Sequence, residues 1–166
     1  MLLKNKILDI IFSKSSTVAV DKFIESALYN KQNGYYLRKN PFGKEGDFIT
    51  APLVSSIFSE MIAIWLVSLW HQLDKPKNFN LVELGPGNGK MFKTINNTLK
   101  KFPTLYKSLN LFLFEKSTLL KKVQKKNIND EKVNWINDLN KIKKGPVIFF
   151  GNEFFDAIPI KQFEKE

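Results

Sequence analysis

The sequence of 166 residues contains no cysteine, one histidine and one arginine. Without cysteine there is no disulfide bond, no thiolate zinc site and no cysteine nucleophile. His71 alone does not make a histidine-based metal site, so no metal is expected. Arg38 is the only arginine among 26 basic residues. Sites that hold bases or phosphates through paired hydrogen bonds favour arginine, so a nucleic-acid partner is disfavoured despite the net charge of +10.

Long apolar runs are also missing. The longest one, Met61 to Val67, is far too short to span a bilayer. Residues 1–16 predict an amphipathic helix that packs on the body of the protein. They do not make a signal peptide, because Lys4, Lys6 and Asp9 interrupt the apolar stretch.

The most informative stretch is residues 80–89, which read NLVELGPGNG. Its apolar residues predict a short buried strand, and its alternating glycines predict a tight turn into a helix. Glycine permits positive φ and a close approach to a ligand, and the free N–H groups of the helix point at that ligand. The pattern predicts a nucleotide site on an open α/β sheet, beyond the carboxyl end of the first strand.

The acid Glu83 and the glycine spacing indicate which nucleotide binds. Dinucleotide folds use G-x-G-x-x-G, whereas Gly85, Gly87 and Gly89 form G-x-G-x-G. A carboxylate two residues before the first glycine repels a pyrophosphate but suits a cationic ligand. The ammonium and sulfonium of S-adenosylmethionine meet that need, and the pattern is that of the first motif of class I methyltransferases. A nicotinamide-dependent oxidoreductase and a turn without a ligand are the alternatives.

The segments before this turn are predicted as follows. A second helix begins near Ser16 or Thr17 and ends before the pair Asn33-Gly34, and a short extended piece covers residues 34–37. A turn follows at 40–43, and a long helix runs from about Leu53 to Leu73, apolar enough to be covered on more than one side.

Residues 46–52, which read GDFITAP, have two interpretations. As structure alone they are a hairpin arm that leads into a helix with Pro52 at its first position and Thr50 or Ala51 at its cap. As function, Asp47 and Thr50 reach over the ligand as part of a lid.

Two further strands carry acids at their carboxyl ends. Leu109 to Glu115 predicts a strand buried on both faces, and Glu115 at its tip is placed to accept both hydroxyls of a ribose. Alternatively, Glu115 is an acid favoured by the dipole of the following helix. Val133 to Ile136 predicts the third strand, after which Asp138 can accept a hydrogen bond from the adenine amine.

The fourth strand, Val147 to Phe150, leads into a polar cluster. Asn152, Glu153 and Asp156 follow it at the carboxyl end of the sheet. No requirement of a hydrophobic core explains these three residues together, so we interpret them as functional and place them at the methyl-transfer point.

Several of these segments together resemble the MidA-like family of S-adenosylmethionine-dependent methyltransferases. In chain order these segments are GYY at 34–36, GDFITAP at 46–52, FSEMIAIWL at 58–66, LVELGPGNG at 81–89, NEFFDAIP at 152–159, and QF at 162–163. The resemblance covers residues 18–163. It implies a Rossmann-like sheet preceded by a helical extension, so the expected domains are 1–78 and 79–166.

The resemblance also implies roles for individual residues. Those expected to cradle the methionine part are Glu83, Gly85, Pro86, Gly87 and Gly89. Glu115 is expected to hold the ribose, and Asp138 to lie near the adenine. Asn152 and Glu153 are expected beside the sulfonium. Mitochondrial members of the family are protein arginine methyltransferases that act in the assembly of respiratory complex I.

The implied substrate is therefore an arginine side chain of a protein, with a complex I subunit as a candidate. Glu153 and Asp156 are the candidate carboxylates for a guanidinium, and Asp47 is held in reserve. A methyltransferase-like binding or assembly module without activity is the alternative. The implied location is the cytoplasm in bacteria and the mitochondrial matrix in eukaryotic relatives.

The chain departs from the family pattern in sequence and in length. Leu53 stands where an acid is usual, Ser59 where a glycine is usual, and Asn88 where arginine is common. Four strands are predicted where the methyltransferase sheet has seven, so the chain is expected to be an N-terminal portion of a longer protein. The far edge of Val147 to Phe150 is then expected to be open to pairing with another chain.

Overall fold

The computed structural model describes residues 2–13, 15–38, 41, 46–48 and 50–165. Most of the predicted turn at 40–43, together with Ile49 of the GDFITAP segment, lies outside the described residues. The described chain divides into two compact units, one of residues 1–40 and 153–166 and the other of residues 41–152.

The larger unit is built on a parallel sheet of four strands. These are β1 (Phe79–Leu84), β2 (Leu109–Phe114), β3 (Val133–Ile136) and β4 (Val147–Phe150), in the order β3-β2-β1-β4. The predicted α/β fold is therefore confirmed, as is the position of β4 beside β1. Because all strands are parallel, their carboxyl ends meet at one edge of the sheet.

Helices of the same unit cover the sheet. They are α4 (Ala51–Val54), α5 (Ser56–Gln72), α6 (Lys90–Leu99), α7 (Pro103–Ser108) and α8 (Thr118–Ile128). On one side of the sheet, Leu81 and Leu113 pack in a core with Leu66 of α5 and Phe92 of α6. On the other side, Val82 and Phe112 form a smaller cluster with Ile136. The central strands are thus buried on both faces, which explains their continuous apolar sequences.

The long helix predicted over residues 53–73 is wrong at its beginning. The chain is extended at Ser55, with φ −140° and ψ 138°, so α4 ends before it and α5 begins after it. The Ser55 hydroxyl accepts a hydrogen bond from the N–H of Ile57 at 3.2 Å. The apolar residues keep their helical spacing across this break. Ser55 is nevertheless both the C-cap residue of α4 and the N-cap residue of α5.

One face of α5 is open in the described chain. Met61 is 64% exposed and Trp65 is 56% exposed, whereas Ala63, Leu66 and Trp70 are buried. The expectation that this helix is covered on more than one side is therefore wrong for the described residues.

The smaller unit contains α1 (Leu2–Ile11), α2 (Val20–Tyr29) and α3 (Tyr35–Arg38). The N-cap of α2 is Ala19, so the predicted caps Ser16 and Thr17 lie outside the helix. The extended piece predicted at 34–37 is wrong, because α3 is a helical turn. A Cβ on Gly34 would lie 2.4 Å from the Asn30 nitrogen, so the chain folds back here only because residue 34 has no side chain.

The two compact units do not follow the domain boundary expected between residues 78 and 79. By contact, α4 and α5 belong with the sheet, because Ala63, Leu66 and Trp70 of α5 are part of its core. The division into a helical extension and a methyltransferase half stays a prediction. Within the described ranges, no helix is long and apolar enough to cross a membrane.

Candidate functional site

The turn after β1 takes the backbone form that its glycines permit. Gly85, Gly87 and Gly89 have φ values of 62°, 55° and 81°. The Gly85 N–H donates to the Phe114 carbonyl at 3.0 Å, and the Gly89 N–H donates to the Pro86 carbonyl at 2.8 Å. Residues with side chains rarely adopt these conformations, so the glycines are required by the path of the turn.

Gly89 is the N-cap residue of α6, whose N-terminus therefore begins at the turn. The Lys90 ammonium donates to the Leu53 carbonyl at 3.0 Å, which holds α4 beside this helix end. Thr50 is the N-cap residue of α4, and its side chain makes no capping hydrogen bond. The structure thus confirms Thr50 as the cap, but the predicted first position of Pro52 is wrong by one residue, because Ala51 is the first residue of α4. The roles of Thr50 and the exposed Asp47 as parts of a lid stay predictions.

Glu83 is almost fully buried near the carboxyl end of β1, with an exposed fraction of 2%. Among the described residues, its Oε2 atom has no hydrogen-bond partner. Burial raises the pKa of this carboxyl from 4.5 to about 8. A buried oxygen of this kind fits a cationic ligand group, because a nearby positive charge favours the ionised carboxylate that burial disfavours.

Glu115 lies directly after β2, at the same edge of the sheet as the glycine turn. It is 8% exposed, and its Oε1 accepts a hydrogen bond from the Ser117 N–H at 2.8 Å. Burial raises its pKa, and hydrogen bonds from the Ser117 backbone and the Gln124 side chain oppose that rise. The hydroxyl of Ser117 caps α8 by accepting from the Leu120 N–H at 3.3 Å, so Glu115 itself is not the cap.

Gln124 on α8 is a site residue that the sequence analysis missed. It is fully buried, and its amide nitrogen donates to the Gly87 carbonyl at 2.8 Å and to Glu115 Oε2 at 2.9 Å. Its side chain thereby joins the glycine turn to the acid of β2. One signal was available: Leu120, Gln124 and Ile128 follow each other at intervals of four on the buried face of α8. A glutamine in the middle of an apolar stripe requires buried partners.

Asp138 follows β3 at the same edge and is exposed. Its Oδ1 accepts a hydrogen bond from the Asn140 N–H at 2.9 Å and caps a short 3-10 helix at Leu139–Lys141. This contact gives Asp138 a local structural role. Its contact with adenine stays a prediction.

The three candidate catalytic residues fall in different units. Asn152, half-buried after β4, belongs to the sheet unit, whereas Glu153 and Asp156 belong to the helical unit. Within the helical unit, both acids act on Tyr36: burial raises the pKa of its phenol, and the charges of Asp156 and Glu153 raise it further. Tyr29 stacks on Tyr36 at 5.8 Å between ring centroids and donates its hydroxyl hydrogen to the Ala157 carbonyl at 2.8 Å.

Glu153 also has an uncommon backbone conformation, with φ 54°. A side-chain-bearing residue held in this region often marks a functional position. Glu153 and Asp156 were predicted together, whereas the link to Tyr36 was not, although Tyr36 belongs to the GYY segment of the resemblance. Within the described ranges, no group of three or more acidic or histidine side chains could hold a metal ion.

The chain is similar to known proteins in sequence and in fold. A family model described as "Putative S-adenosyl-L-methionine-dependent methyltransferase" matches residues 61–166. The chain belongs to this family. The match begins in α5 and includes the glycine turn, Glu115 and the cluster after β4.

Curated relatives extend the similarity toward the N-terminus. The mitochondrial protein arginine methyltransferase NDUFAF7 of Bos taurus is 31% identical over an alignment of 172 positions, and the match covers 89% of this chain and 39% of that protein. The mitochondrial homologue of Drosophila melanogaster is 33% identical, with 89% of this chain and 38% of that protein covered. The chain thus spans about two fifths of the length of these relatives.

A solved structure shows the same fold. The crystal structure of a protein from Burkholderia thailandensis, bound to S-adenosyl-homocysteine, matches with a TM-score of 0.75 at 24% identity. The match covers 95% of this chain and 42% of that one. At this identity the likeness concerns the fold, which agrees with the parallel sheet described above.

Proposed function

We propose that this chain binds S-adenosylmethionine and serves the transfer of a methyl group to arginine side chains of a protein substrate. The observation that supports this most directly is one edge of the parallel sheet. There the glycine turn lies between two buried acids, Glu83 and Glu115, at the ends of adjacent strands. Family membership and the names of the arginine methyltransferase relatives support the same proposal.

Each cofactor-binding residue has a chemical role in this proposal. Glu83 accepts the ammonium of the methionine part, since its buried Oε2 is otherwise without a partner in the described chain. Gly85, Pro86, Gly87 and Gly89 form the cradle that the methionine part needs, and Glu115 accepts the ribose hydroxyls. Asp138 accepts a hydrogen bond from the adenine amine, and Thr50 reaches over the ligand as part of a lid.

The proposed catalytic residues act on the acceptor. When bound, S-adenosylmethionine supplies a methyl group already activated by its sulfonium. The protein therefore has chiefly to orient the acceptor. Glu153 and Asp156 hold a guanidinium through paired hydrogen bonds and draw its charge away from the attacking nitrogen. Asn152 is assigned to the sulfonium. A complex I subunit is the proposed substrate class, in the mitochondrial matrix or the bacterial cytoplasm.

Calorimetric titration with S-adenosyl-homocysteine tests the binding part of the proposal. Glu115→Ala is expected to weaken binding by about 1.5–3 kcal/mol, roughly ten- to a hundredfold, because charge-assisted hydrogen bonds are lost. Glu131→Ala, which removes an exposed acid of the same unit, is the matched control and is expected to bind like the wild type. Equal binding by both variants contradicts the ribose assignment. Binding of a nicotinamide dinucleotide in competition supports the oxidoreductase alternative.

Transfer of a radiolabelled methyl group to arginine-containing peptides tests the catalytic part. The double variant Glu153→Gln, Asp156→Asn is expected to bind S-adenosyl-homocysteine as the wild type does and to lose transfer. Because the chain spans about two fifths of the length of its relatives, the assay uses a protein of their full length that contains it. If that protein binds the cofactor and transfers no methyl group to any arginine peptide, the alternative, a binding or assembly module, is supported.

A further inference from the structure

Gln124 is the residue through which the glycine turn and the acid of β2 meet. Its exposed fraction is 0%. A fully buried amide needs partners for its carbonyl oxygen and for both hydrogens of its nitrogen, because each unpaired polar group costs free energy. The structure supplies a partner for every one of them.

The orientation of the amide follows from one neighbour. The indole N–H of Trp135 on β3 lies 3.0 Å from Gln124 Oε1. An indole nitrogen donates only, so the oxygen of Gln124 must face Trp135. The amide nitrogen must then face the opposite way, toward the Gly87 carbonyl at 2.8 Å and Glu115 Oε2 at 2.9 Å.

The position of the helix follows from a glycine. A Cβ on Gly89 would lie 3.1 Å from Ile128 Cδ1 and 3.3 Å from Gln124 Cγ. Since Gly89 has no side chain, α8 packs directly on the turn, and Gln124 reaches across it to Gly87. Gly89 therefore serves the packing of α8 as well as the path of the turn.

We propose that Gln124 is a positioning residue for cofactor binding: it fixes the Glu115 carboxylate and the Gly87 carbonyl in the relative geometry that the ribose and the methionine part require. This inference rests on the proposed function, because Glu115 is there assigned to the ribose. The Ser117 N–H holds Oε1 of Glu115 and Gln124 holds Oε2, so the carboxylate cannot rotate. The lone pairs that remain free on the two oxygens of Glu115 therefore keep a fixed direction.

The variant Gln124→Met tests this role, because it keeps the length of the side chain and removes both donors. Asn127→Ala is the matched control. Asn127 lies one turn further along α8 and donates to the Asn88 carbonyl of the same turn at 2.8 Å, and in the described part of the chain no hydrogen bond joins it to Glu115. Both variants thus remove a hydrogen bond from α8 to the turn, and only one removes a hydrogen bond to the acid.

The first measurement needs no ligand. The pKa of Glu115 is followed by NMR of its carboxyl carbon in both variants. Gln124→Met is expected to raise this pKa, because the lost hydrogen bond stabilised the charged form. Asn127→Ala is expected to leave this pKa unchanged, since it keeps Gln124. The Ser117 N–H and the charge of Lys121, which also lower this pKa, are present in both variants. If Gln124→Met lowers the melting temperature and leaves the pKa in place, the residue only packs, and the proposal is refuted.

The second measurement compares S-adenosyl-homocysteine with its 2′,3′-dideoxy analogue. The wild type is expected to prefer the natural ribose, and Gln124→Met to lose roughly tenfold of that preference, because only the natural ribose depends on the direction of the Glu115 carboxylate. Unchanged ribose preference in Gln124→Met overturns the proposal. If the wild type binds neither compound, the proposed function fails, and the titration of Glu115 still decides whether Gln124 positions the acid.

Discussion

The variant Glu83→Gln makes the folding stability of the ligand-free protein depend less on pH. The unfolded chain releases the Glu83 proton near pH 4.5, whereas the folded protein keeps it until about pH 8 because the carboxyl is buried. Between these pH values the folded state binds more protons, so the wild type loses stability as pH rises. Glutamine has the same shape and no proton to release, so the variant does not lose this stability as pH rises.

The size of the effect follows from the two pKa values. At about 1.4 kcal/mol per pH unit, the interval from 4.5 to about 8 corresponds to about 5 kcal/mol. This is an upper bound, since any water that reaches the carboxylate reduces it. The glutamine variant is therefore expected to equal the wild type near pH 5 and to exceed its stability by several kcal/mol at pH 8.

Urea unfolding at pH 5, 6, 7 and 8 measures this difference. Glu60→Gln is the matched control, because it removes the same charge from an exposed position on α5. It is expected to follow the wild-type pH dependence. A Glu83→Gln variant whose stability differs from the wild type by the same amount at pH 5 and pH 8 refutes the assignment of a protonated buried carboxyl. The same variant is expected to bind S-adenosyl-homocysteine roughly tenfold more weakly, because the partner of the ammonium loses its charge.

Three further predictions concern the two units. Gly87→Val is expected to abolish binding of S-adenosyl-homocysteine in calorimetry, because a β-branched residue does not tolerate the φ of 55° there; unchanged affinity contradicts the cradle. Gly34→Ala is expected to lower the melting temperature of the helical unit, since its Cβ would lie 2.6 Å from the Asn30 carbonyl oxygen; an unchanged melting curve contradicts this. Asp130→Asn is expected to cost about 1–3 kcal/mol at pH 7, because the carboxylate binds the Lys100 ammonium at 2.6 Å. Burial raises the pKa of Asp130, but hydrogen bonds, chiefly that from Lys100, outweigh this effect and hold the pKa below its ordinary value. The wild type is therefore expected to lose this stability as pH falls below about 4. Wild-type stability that does not change with pH below about 4 contradicts the prediction.

The central part of the fold was predictable because its signals are local. β3 and β4 lie where the sequence places them, and β1 and β2 differ by one residue at one end. Apolar runs of this length indicate buried parallel strands, and alternating glycines indicate a turn that side chains do not permit. The order of Glu83, the glycines and Glu115 along the chain was sufficient to predict the edge of the sheet on which they meet.

The features that the sequence analysis missed depend on contacts between distant residues or on a local competition. Gln124 reaches Gly87 across 37 positions, and Tyr29 reaches Ala157 across 128. The spacing of four on α8 marks Gln124 as buried but does not name its partner, because each contact exists only once the elements have packed. The apolar spacing favours one continuous helix through Ser55. The chain breaks there because the serine side chain caps α5 with a hydrogen bond that requires an extended backbone.

The amino-acid sequence by itself determined the parallel sheet, the glycine turn and the acids at the strand ends, since each follows from the conformations that short segments allow. Only the tertiary structure decided which way the Glu115 carboxylate is held, that Glu83 is buried with a raised pKa, and that the charges of Asp156 and Glu153 act on Tyr36. Burial, the pKa of a carboxyl and the partner of an amide depend on what the rest of the chain places around them, and no local segment specifies that.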